Sequence, residues 1–360
     1  MRKRKNKITI FGAGADIKSK FFIWKNGKIL PSEEFGNLTL AENFSRYERA
    51  ILQHAQEYNV VVFDLHPDYL SSRFARKLKS RGYLSVQHHY AHIVSVLMAN
   101  RIKKPVIGVA FDGTGYGNDG AMWGGEFLMV NKSSFERIAH FQYLKMLGGE
   151  QAIVQPWRMA LSMLYDVFGK NAIEKFKKIN VIDVDSCKML LQMAQEGLNS
   201  PLTSSVGRVF DAVAALLAVS EEVSKEAEAA IALEQLAKCS QSNEAYCFDV
   251  DKTRKPYVFT YQKFASEILS DLKRKVAPEE IAKKFHNGLA EAIFHMVSTM
   301  KKEYGIRDVV LSGGVFLNKV LSEAVHKKLI EAGYNLIYNK ETPVSDISIG
   351  LGQIYAALYS

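Results

Sequence analysis

The chain has 360 residues, of which 48% are hydrophobic and 24% charged, and its formal net charge is +9. This length exceeds what one hydrophobic core usually organises, so we expect a globular protein with two lobes. The sequence has neither an apolar run that could cross a bilayer nor a signal peptide, so a membrane partner is not expected. Its three cysteines show no disulfide or zinc spacing, which indicates a reducing, cytoplasmic location.

Basic residues are concentrated at the start of the chain, where Arg2, Lys3, Arg4, Lys5 and Lys7 lie within one short segment. We interpret residues 1–7 as a solvated, poorly ordered tail. The alternative is a nucleic-acid contact, because clustered Lys and Arg neutralise phosphates. No basic patch with interleaved aromatic residues supports that alternative elsewhere, so a nucleic-acid partner is not expected.

The elements that follow predict an α/β fold with mixed sheets. Residues 8–30 indicate a strand, a glycine-rich turn and a second strand, and residues 106–130 repeat this order, which suggests a duplicated fold. The other predicted elements are helices near 43–58, 70–78 and 88–100, strands near 59–64 and 83–87, a mostly helical region at 155–245, further helices at 256–304, a strand, a double-glycine turn and a helix at 307–333, a strand at 335–341 and a helix at 347–360.

Histidines are crowded at the head of one apolar helix, in the segment VQHHYAH at 86–92. His88 and His92 stand four residues apart, so they project from one helix face, which is an arrangement that can bind a divalent metal. The alternative is that they cap and pack the helix. Under either interpretation, we expect His89 to point away from the face that His88 and His92 share. A metal would need a further ligand, for which Asp346 and Asp112 are candidates.

Two glycine-rich segments could approach a ligand with their backbones. We predict a loop over 112–120, DGTGYGNDG, whose N–H groups would face an anion, although a tight β-hairpin is the alternative. The segment LSGGVFLN places Gly313 and Gly314 before a helix, where phosphates and riboses often bind. We expect Asn318 on the first turns of that helix.

Other polar residues admit two interpretations each. Asp211 lies in an apolar helical pattern and needs a partner, either Arg208 one turn earlier or a ligand hydroxyl. Arg158 could contact an anion or simply begin a helix. We interpret His286 as structural.

These segments together resemble the carbamoyltransferase domain of the HypF hydrogenase maturation family, from about residue 8 to 358. The motifs that carry the resemblance are FDLHPDYLSSRFA, VQHHYAH, GVAFDGTGYGNDGAMWGGEF, QPWRMA, LTSSVGRVFDAVAALL, FHNGLAEAI and LSGGVFLN. The resemblance implies a two-lobed actin/Hsp70/sugar-kinase fold, with an RNase H-like mixed sheet in each lobe. We place the lobes at 8–104 and 105–346, with a helical insertion at about 155–250 and the terminal helix 347–360 packing back on the first lobe.

The resemblance also implies the ligands and the site residues. One divalent metal, iron or zinc, would be held by His88, His92 and Asp346, with Asp112 in or near the coordination sphere. Asp112 and His89 would be catalytic. The residues that would contact an adenine nucleotide, whether ATP, AMP or carbamoyl-adenylate, are Lys18, Asp112, Gly113, Thr114, Gly115, Asp211, Gly313, Gly314 and Asn318.

The activity that the resemblance implies is transfer of a carbamoyl group from carbamoyl-adenylate to the C-terminal cysteine thiolate of HypE, for the cyanide ligands of [NiFe] hydrogenase. The resemblance does not extend to the acylphosphatase, zinc-finger and YrdC-like domains of full-length HypF. We therefore expect either that a separate protein supplies the adenylate or that this chain is an excised domain. Two positions depart from the family wording: Ala227 replaces a glycine, and Ile347-Ser348 replaces a glycine pair.

Three alternatives remain open. A small-molecule O-carbamoyltransferase would use the same donor. A tRNA-modifying TsaD-like subunit would have SGGHT where this chain has DGTGYG. An inactive paralogue acting as an assembly module is the third, and Ala227 is its main support.

Overall fold

The computed structural model describes residues 8–54, 57–179, 183–219, 222–223, 225, 227–338 and 344–360. The expected basic tail at 1–7 lies outside these residues. The strands are β1 (Thr9–Gly12), β2 (Phe22–Lys25), β3 (Lys28–Pro31), β4 (Val60–Asp64), β5 (Tyr83–Val86), β6 (Val106–Tyr116), β7 (Met122–Val130), β8 (Phe135–Phe141), β9 (Leu144–Lys145), β10 (Leu202–Thr203), β11 (Asp249–Asp251), β12 (Tyr257–Thr260), β13 (Asp308–Ser312) and β14 (Asn335–Ile337).

The α-helices of the same residues vary from one turn to 27 residues in length. They are α1 (Ala41–Gln53), α2 (Leu70–Ala75), α3 (His88–Ala99), α4 (Gln151–Val154), α5 (Trp157–Phe168), α6 (Ala172–Lys177), α7 (Val184–Gln195), α8 (Val206–Leu216), α9 (Glu228–Lys238), α10 (Gln262–Lys273), α11 (Pro278–Tyr304), α12 (Lys319–Glu331) and α13 (Ile349–Tyr359). Among them, none combines the length and the apolar character that a bilayer crossing requires.

The strands form two mixed sheets that share one topology. The first sheet has the order β3-β2-β1-β4-β5, in which β1 is antiparallel to β2 and parallel to β4. The second sheet repeats this order as β8-β7-β6-β13-β14, and β12 and β11 extend it beyond β8. The repeated order confirms the expected α/β class, its mixed sheets and its duplication.

The helices α3 and α13 lie in a layer between the two sheets. Side chains alternate along each strand, so Ile10 of β1 packs in this central layer while Phe11 packs on the outer face. In the second sheet Val310 faces the central layer and Val309 faces the outer helices. Ten consecutive residues of α3, 88–97, are buried because the helix is covered on both sides. Polar side chains in this helix are therefore held in a dry interior.

Strand β6 corrects the prediction of a loop over 112–120. The strand continues through the glycines to Tyr116, and its pairing with β7 resumes at Gly115 after an irregularity that begins at Phe111. The reversal of the chain is confined to a short turn, in which the Gly117 N–H donates to the carbonyl of Ala121 at 2.8 Å. The irregularity interrupts the ladder at residues 112–114, and this stretch lines a cleft.

Two further differences concern the later elements. Asn318 is the N-cap of α12 rather than a residue of its first turns, because its Oδ1 accepts from the N–H of Leu321 at 3.0 Å. Strands β8, β11 and β12 add to the second sheet in segments for which we predicted no strand, and β12 corrects the start of the region predicted to be helical at 256–304. The helices α5 to α9 confirm the mostly helical region. The lobe boundaries at 104 and 346 stay predictions.

Candidate metal centre and adjoining cleft

Two histidines at the start of α3 present their rings to the same buried point. His88 and His92 are one helical turn apart, their ring centroids lie 4.9 Å from each other, and both side chains are fully buried. The helix starts at His88 because Gln87 caps it, with its side chain accepting from the N–H of Tyr90. The predicted shared face of these two residues is therefore present.

Two carboxylates from distant segments meet these imidazoles. The Oδ2 of Asp112 lies 3.4 Å from Nε2 of His88 and 3.0 Å from Nε2 of His92. The Oδ1 of Asp346 lies 3.7 Å and 3.4 Å from the same nitrogens. Asp112 turns Oδ2 toward the histidines because its Oδ1 accepts from the N–H groups of Gly113 and Gly314.

The four residues fit a divalent metal ion. One potential ligand atom from each residue lies within 4.8 Å of all the others. Ligands about 2.0–2.2 Å from a tetrahedral ion are about 3.4 Å apart, which matches the separations between the imidazole and carboxylate atoms. In addition, Nε2 of His88 is buried without a hydrogen-bond partner in the described part of the chain. A donor set of two imidazoles and two carboxylates suits zinc or iron.

The electrostatics of the cluster call for positive charge. Burial opposes protonation of His88, but the Asp64, Asp112 and Asp346 carboxylates outweigh it and raise its pKa well above the usual value. The pKa of His92 is also raised against burial, by Asp112 and Asp346. Burial favours the neutral form of Asp112, yet both histidines hold its pKa well below the usual value. A bound divalent cation would supply the charge that protons on the imidazoles otherwise provide.

Asp64 is a site residue that the sequence interpretation missed. Its Oδ2 lies 2.7 Å from Nδ1 of His88, and both side chains are fully buried. Ligand histidines commonly donate their second ring N–H to a carboxylate, which orients the ring and raises its basicity. The available signal was an aspartate at the end of a buried strand, followed by His66-Pro67.

His89, expected to be catalytic, lies beside the cluster without joining it. Its ring centroid is 5.4 Å from that of His88, and its Nδ1 is 3.1 Å from Nε2 of Gln87. Burial and the neighbouring His88 lower the pKa of His89 to about 3, so the ring is neutral. No described residue accepts from its buried Nε2.

A cleft of about 410 Å³ adjoins the metal cluster. Asp112 and Asp346 belong both to the cluster and to the lining of the cleft. The other expected nucleotide-contacting residues that line it are Lys18, Gly113, Thr114, Asp211, Gly314 and Asn318. The sequence interpretation missed Glu234, which also lines the cleft and accepts from the N–H of Lys319 at 3.2 Å.

Asp211 and Arg208 form a buried ion pair in the cleft wall. Nη1 of Arg208 lies 3.0 Å from Oδ2 of Asp211, which confirms the expected partner one turn away. Burial raises the pKa of Asp211 to about 6, although Arg208 opposes the shift. Neither atom of the pair makes a well-aligned hydrogen bond to the described residues, so both retain bonding capacity toward a ligand.

His286 holds one side of Asn318. Its Nδ1 donates to the carbonyl of Ala282 at 2.7 Å, and its Nε2 accepts from Nδ2 of Asn318 at 2.9 Å. Since Nδ2 of Asn318 donates to His286 and Oδ1 accepts from the N–H of Leu321, each end of the amide keeps one further position, a second N–H on Nδ2 and a second lone pair on Oδ1. His286 is structural, as expected, and it orients a cleft residue.

Two expected nucleotide-contacting glycines lie outside the cleft lining. Gly115 passes beneath the imidazoles, and Gly313 has a φ of 102° and packs against the carbonyl of Phe111. Arg158 lies in the first turn of α5, with Nε donating to Gln155 and Nη1 to the carbonyl of Leu147, which agrees with the helix-start interpretation.

The two departures from family wording differ in their structural effect. Ala227 lines the cleft with φ 58° and ψ 16°, a left-handed conformation that favours glycine. By contrast, Ser348 has a φ of −99° within a 3₁₀ turn, which any residue adopts. Replacement of a glycine matters for the backbone at 227 and not at 348.

Two family models and several known proteins match most of this chain. Residues 5–99 match the family model described as "HypF Kae1-like domain", and residues 108–353 match "Carbamoyltransferase, Kae1-like Domain, second subdomain". The chain is 35% identical to the carbamoyltransferase HypF of Synechocystis sp., covering 97% of this chain and 47% of that protein. It is 33% identical to the carbamoyltransferase HypF homolog of Cupriavidus necator, covering 97% and 91% respectively.

Among solved structures, full-length HypF in its phosphate- and nucleotide-bound form superposes with a TM-score of 0.92 at 34% identity, over 99% of this chain and 47% of that one. The HypF of T. kodakarensis superposes with a TM-score of 0.86 at 29% identity, over 98% and 48%. This chain therefore spans about half the length of those HypF proteins. The fold class expected from the sequence is confirmed.

Proposed function

This chain belongs to the HypF carbamoyltransferase family, to whose Kae1-like domain it corresponds, and on that premise we propose that it transfers a carbamoyl group from carbamoyl-adenylate to a thiolate. The acceptor that we propose is the C-terminal cysteine of a HypE-like protein, in the synthesis of the hydrogenase cyanide ligand. A separate YrdC-like or acylphosphatase–YrdC protein would supply the adenylate.

The observation that carries the proposal is the sharing of two carboxylates by the cleft and the cluster. Asp112 and Asp346 line the cleft and also face His88 and His92, so the cleft and the cluster adjoin, and we propose that a nucleotide in the cleft presents its reactive end to the cluster. The volume of about 410 Å³ suits a nucleotide-sized ligand. The bound nucleotide of the solved HypF structure supports the same choice.

In the proposed reaction the acceptor thiolate attacks the carbamoyl carbon, and a C–S bond forms. The bond from that carbon to the phosphate oxygen breaks, and AMP leaves with the electron pair. The thiol proton has already passed to solvent. This step needs no nucleophile of the enzyme. Among the described residues, no cysteine belongs to the cluster of potential metal ligands, and Cys187 is buried in the same hydrophobic core as Val309.

The residues of the chain orient the donor. The guanidinium of Arg208 provides donors toward a phosphate, whereas the N–H groups of Gly113 and Gly314 already donate to Oδ1 of Asp112. Asp211 and Glu234 offer carboxylates to the ribose hydroxyls, and Asn318 offers an N–H donor. The apolar side chains of Ile153, Ile231 and Leu317 provide a surface for the adenine ring.

We propose that His88, His92, Asp112 and Asp346 hold one divalent metal, iron or zinc, with Asp64 orienting His88. When bound, such an ion acts as a Lewis acid that polarises a carbonyl or neutralises a phosphate. The alternatives of a small-molecule acceptor, a tRNA substrate and an inactive assembly module are not favoured, because the relatives described above are carbamoyltransferases of the HypF family.

The test is to incubate the metal-loaded protein with carbamoyl-adenylate and a HypE tail peptide, and to measure the peptide by mass spectrometry. We expect addition of one carbamoyl group to the terminal cysteine. A peptide with serine in place of the cysteine and a His88→Ala variant should both show no addition. If a full-length HypF relative modifies the peptide under the same conditions and this protein does not, the proposed function is wrong.

A further inference from the structure

The side chain of Gln87 has an orientation that its backbone neighbours dictate. Its Oε1 accepts from the N–H of Tyr90 at 2.8 Å, and its Nε2 donates to the carbonyl of Tyr116 at 3.1 Å. A backbone N–H can only donate and a carbonyl can only accept, so the two ends of the amide cannot be exchanged. Gln87 therefore presents N–H groups, and not an oxygen, toward β6 and His89.

This orientation determines which nitrogen of His89 carries the proton. Nε2 of Gln87 lies 3.1 Å from Nδ1 of His89, and as a donor it requires a lone pair on that nitrogen. A neutral imidazole has one proton, so the proton of His89 resides on Nε2. Gln87 thus selects one of the two tautomers, although it belongs neither to the cleft lining nor to the set of potential metal ligands.

The Nε2–H of His89 is a buried donor that no described residue satisfies. The His89 side chain is fully buried, and its Nε2 has no hydrogen-bond partner in that part of the chain. A buried donor without a partner destabilises the folded state, and such groups in native proteins usually serve a ligand or an ordered water. The ring adjoins those of His88 and His92, with centroids 5.4 Å and 6.4 Å away.

Gly115 restricts how the ring can move. A Cβ atom at this position would lie 2.4 Å from Cε1 of His89 and 2.8 Å from Cδ2 of His88. The ring of His89 therefore packs directly on the backbone of β6, and Trp123 lies on another side with a centroid distance of 6.3 Å. Contacts on these two sides limit rotation of the ring, which would exchange the roles of its nitrogens.

We propose that Gln87 is a positioning residue that holds His89 as an Nε2–H donor to an oxygen of the carbamoyl donor. This inference rests on the proposed function. When the thiolate attacks the carbamoyl carbon, negative charge develops on the carbonyl oxygen, and a preorganised N–H donor stabilises it without reorganisation. His89 gives up no proton in this role, so the proton balance of the transfer is unchanged.

The first test uses the full chain loaded with zinc and labelled with ¹⁵N at histidine. A long-range ¹H–¹⁵N spectrum separates protonated from unprotonated ring nitrogens, and a His89→Gln variant assigns the signals. We expect His89 to be unprotonated at Nδ1 and protonated at Nε2. In Gln87→Glu, a carboxylate oxygen can still cap Tyr90, but neither oxygen can donate, so Nδ1 of His89 should gain a proton. A protonated Nδ1 in the wild type overturns the proposal.

The second test adds 5′-O-sulfamoyladenosine, whose sulfamoyl oxygens mimic the carbamoyl donor. We expect the Nε2–H resonance of His89 to shift on saturation, and an unshifted resonance with the analogue bound overturns the donor role. If calorimetry shows that the analogue does not bind, the proposed function fails, whereas the tautomer assignment is still decided by the spectrum.

The third test measures carbamoyl transfer by Gln87→Met, which fills the space without hydrogen-bonding groups. Loss of one oxyanion donor lowers kcat by about 10²-fold, so we expect a loss of that order with unchanged zinc content. Asp183→Ala is the matched control, because it removes another helix N-cap, that of α7, which contributes no residue to the cluster or to the cleft lining. If both variants lose thermal stability and both keep the wild-type kcat, Gln87 is only a cap and the proposal is wrong.

Discussion

Asp64 and His88 are joined by a 2.7 Å contact between Oδ2 and Nδ1, and neither side chain is exposed to solvent. The pairing of β4 with β5 produces this contact, since Asp64 stands opposite Val86, two residues before His88. Asp64 also accepts from the N–H of His66 through Oδ1, which limits its rotation. The ring of His88 is thereby held with Nε2 toward Asp112 and Asp346.

We predict that Asp64→Asn weakens metal binding without removing a ligand. The amide keeps the size of the carboxylate but loses the charge that makes His88 more basic, and changes of this kind typically cost about 10–100-fold in affinity. Competition titration with zinc and a chromogenic chelator measures the change. Asp68→Asn is the control, because Asp68 is exposed on the same loop. Equal affinities for both variants would contradict the role assigned to Asp64.

We predict that Gly115→Ala displaces the imidazoles and abolishes stoichiometric metal binding. The new methyl would lie 2.4 Å from His89 and 2.8 Å from His88, and both rings are enclosed. Overpacking of this kind also costs about 1–3 kcal/mol of stability. Gly82→Ala is the control, since the nearest atom to a Cβ there is 3.8 Å away. Elemental analysis should find a full equivalent of metal in Gly82→Ala only.

We predict that adenosine binding strengthens as the pH rises through about 6. Burial raises the pKa of Asp211 to about 6, and the ionised carboxylate accepts more strongly from the ribose hydroxyls than the neutral acid does. Adenosine is the suitable probe because the phosphate of AMP titrates in the same range. Calorimetry from about pH 5 to about pH 8 should show that the affinity for adenosine rises with pH in the wild type and not in Asp211→Asn.

The raised pKa of Asp211 also makes the free energy of unfolding depend on pH. Because the folded-state pKa of Asp211 is above the unfolded value of about 3.9, the folded state holds this proton more tightly. The resulting stabilisation is complete below the unfolded value and is lost as the pH rises through about 6. Chemical denaturation should therefore show a smaller loss of stability over this range in Asp211→Asn than in the wild type.

The sequence allowed the helix-borne half of the site to be predicted, because a spacing of four residues on a helix has only one geometry. His88 and His92 face the same point as expected, and Asp112 and Asp346 reach it. Asp64 could not be predicted, since its contact depends on the register of β4 against β5. These contacts join segments that are distant in the chain.

The strand β6 shows a second limit of sequence interpretation. Glycines usually weaken strands, so DGTGY favoured a loop, yet pairing with β7 resumes at Gly115 and Tyr116. The small residues are needed here because the imidazoles leave no space above the strand. The duplicated strand order was easier to predict, because each half opens with the same strand–turn–strand pattern.

We predict that Ala227→Gly increases nucleotide affinity. Ala227 lines the cleft at the start of α9, and its φ of 58° is in the left-handed region. That conformation costs an L-residue about 1–2 kcal/mol, while glycine in the unfolded chain costs about 0.5–1 kcal/mol of entropy, so stability should rise by about 0–1.5 kcal/mol. Removal of the methyl also lets a ligand approach the backbone more closely.

Ala218→Gly is the matched control for this prediction. Ala218 has a φ of 52° and is exposed beyond the end of α8, outside the cleft lining. Relief of the left-handed backbone should therefore raise the melting temperature of both variants by a similar amount. Only Ala227→Gly should bind AMP more tightly than the wild type by calorimetry. If both variants bind AMP alike, the alanine at 227 does not limit access to the cleft, and the main support for an inactive assembly module is removed.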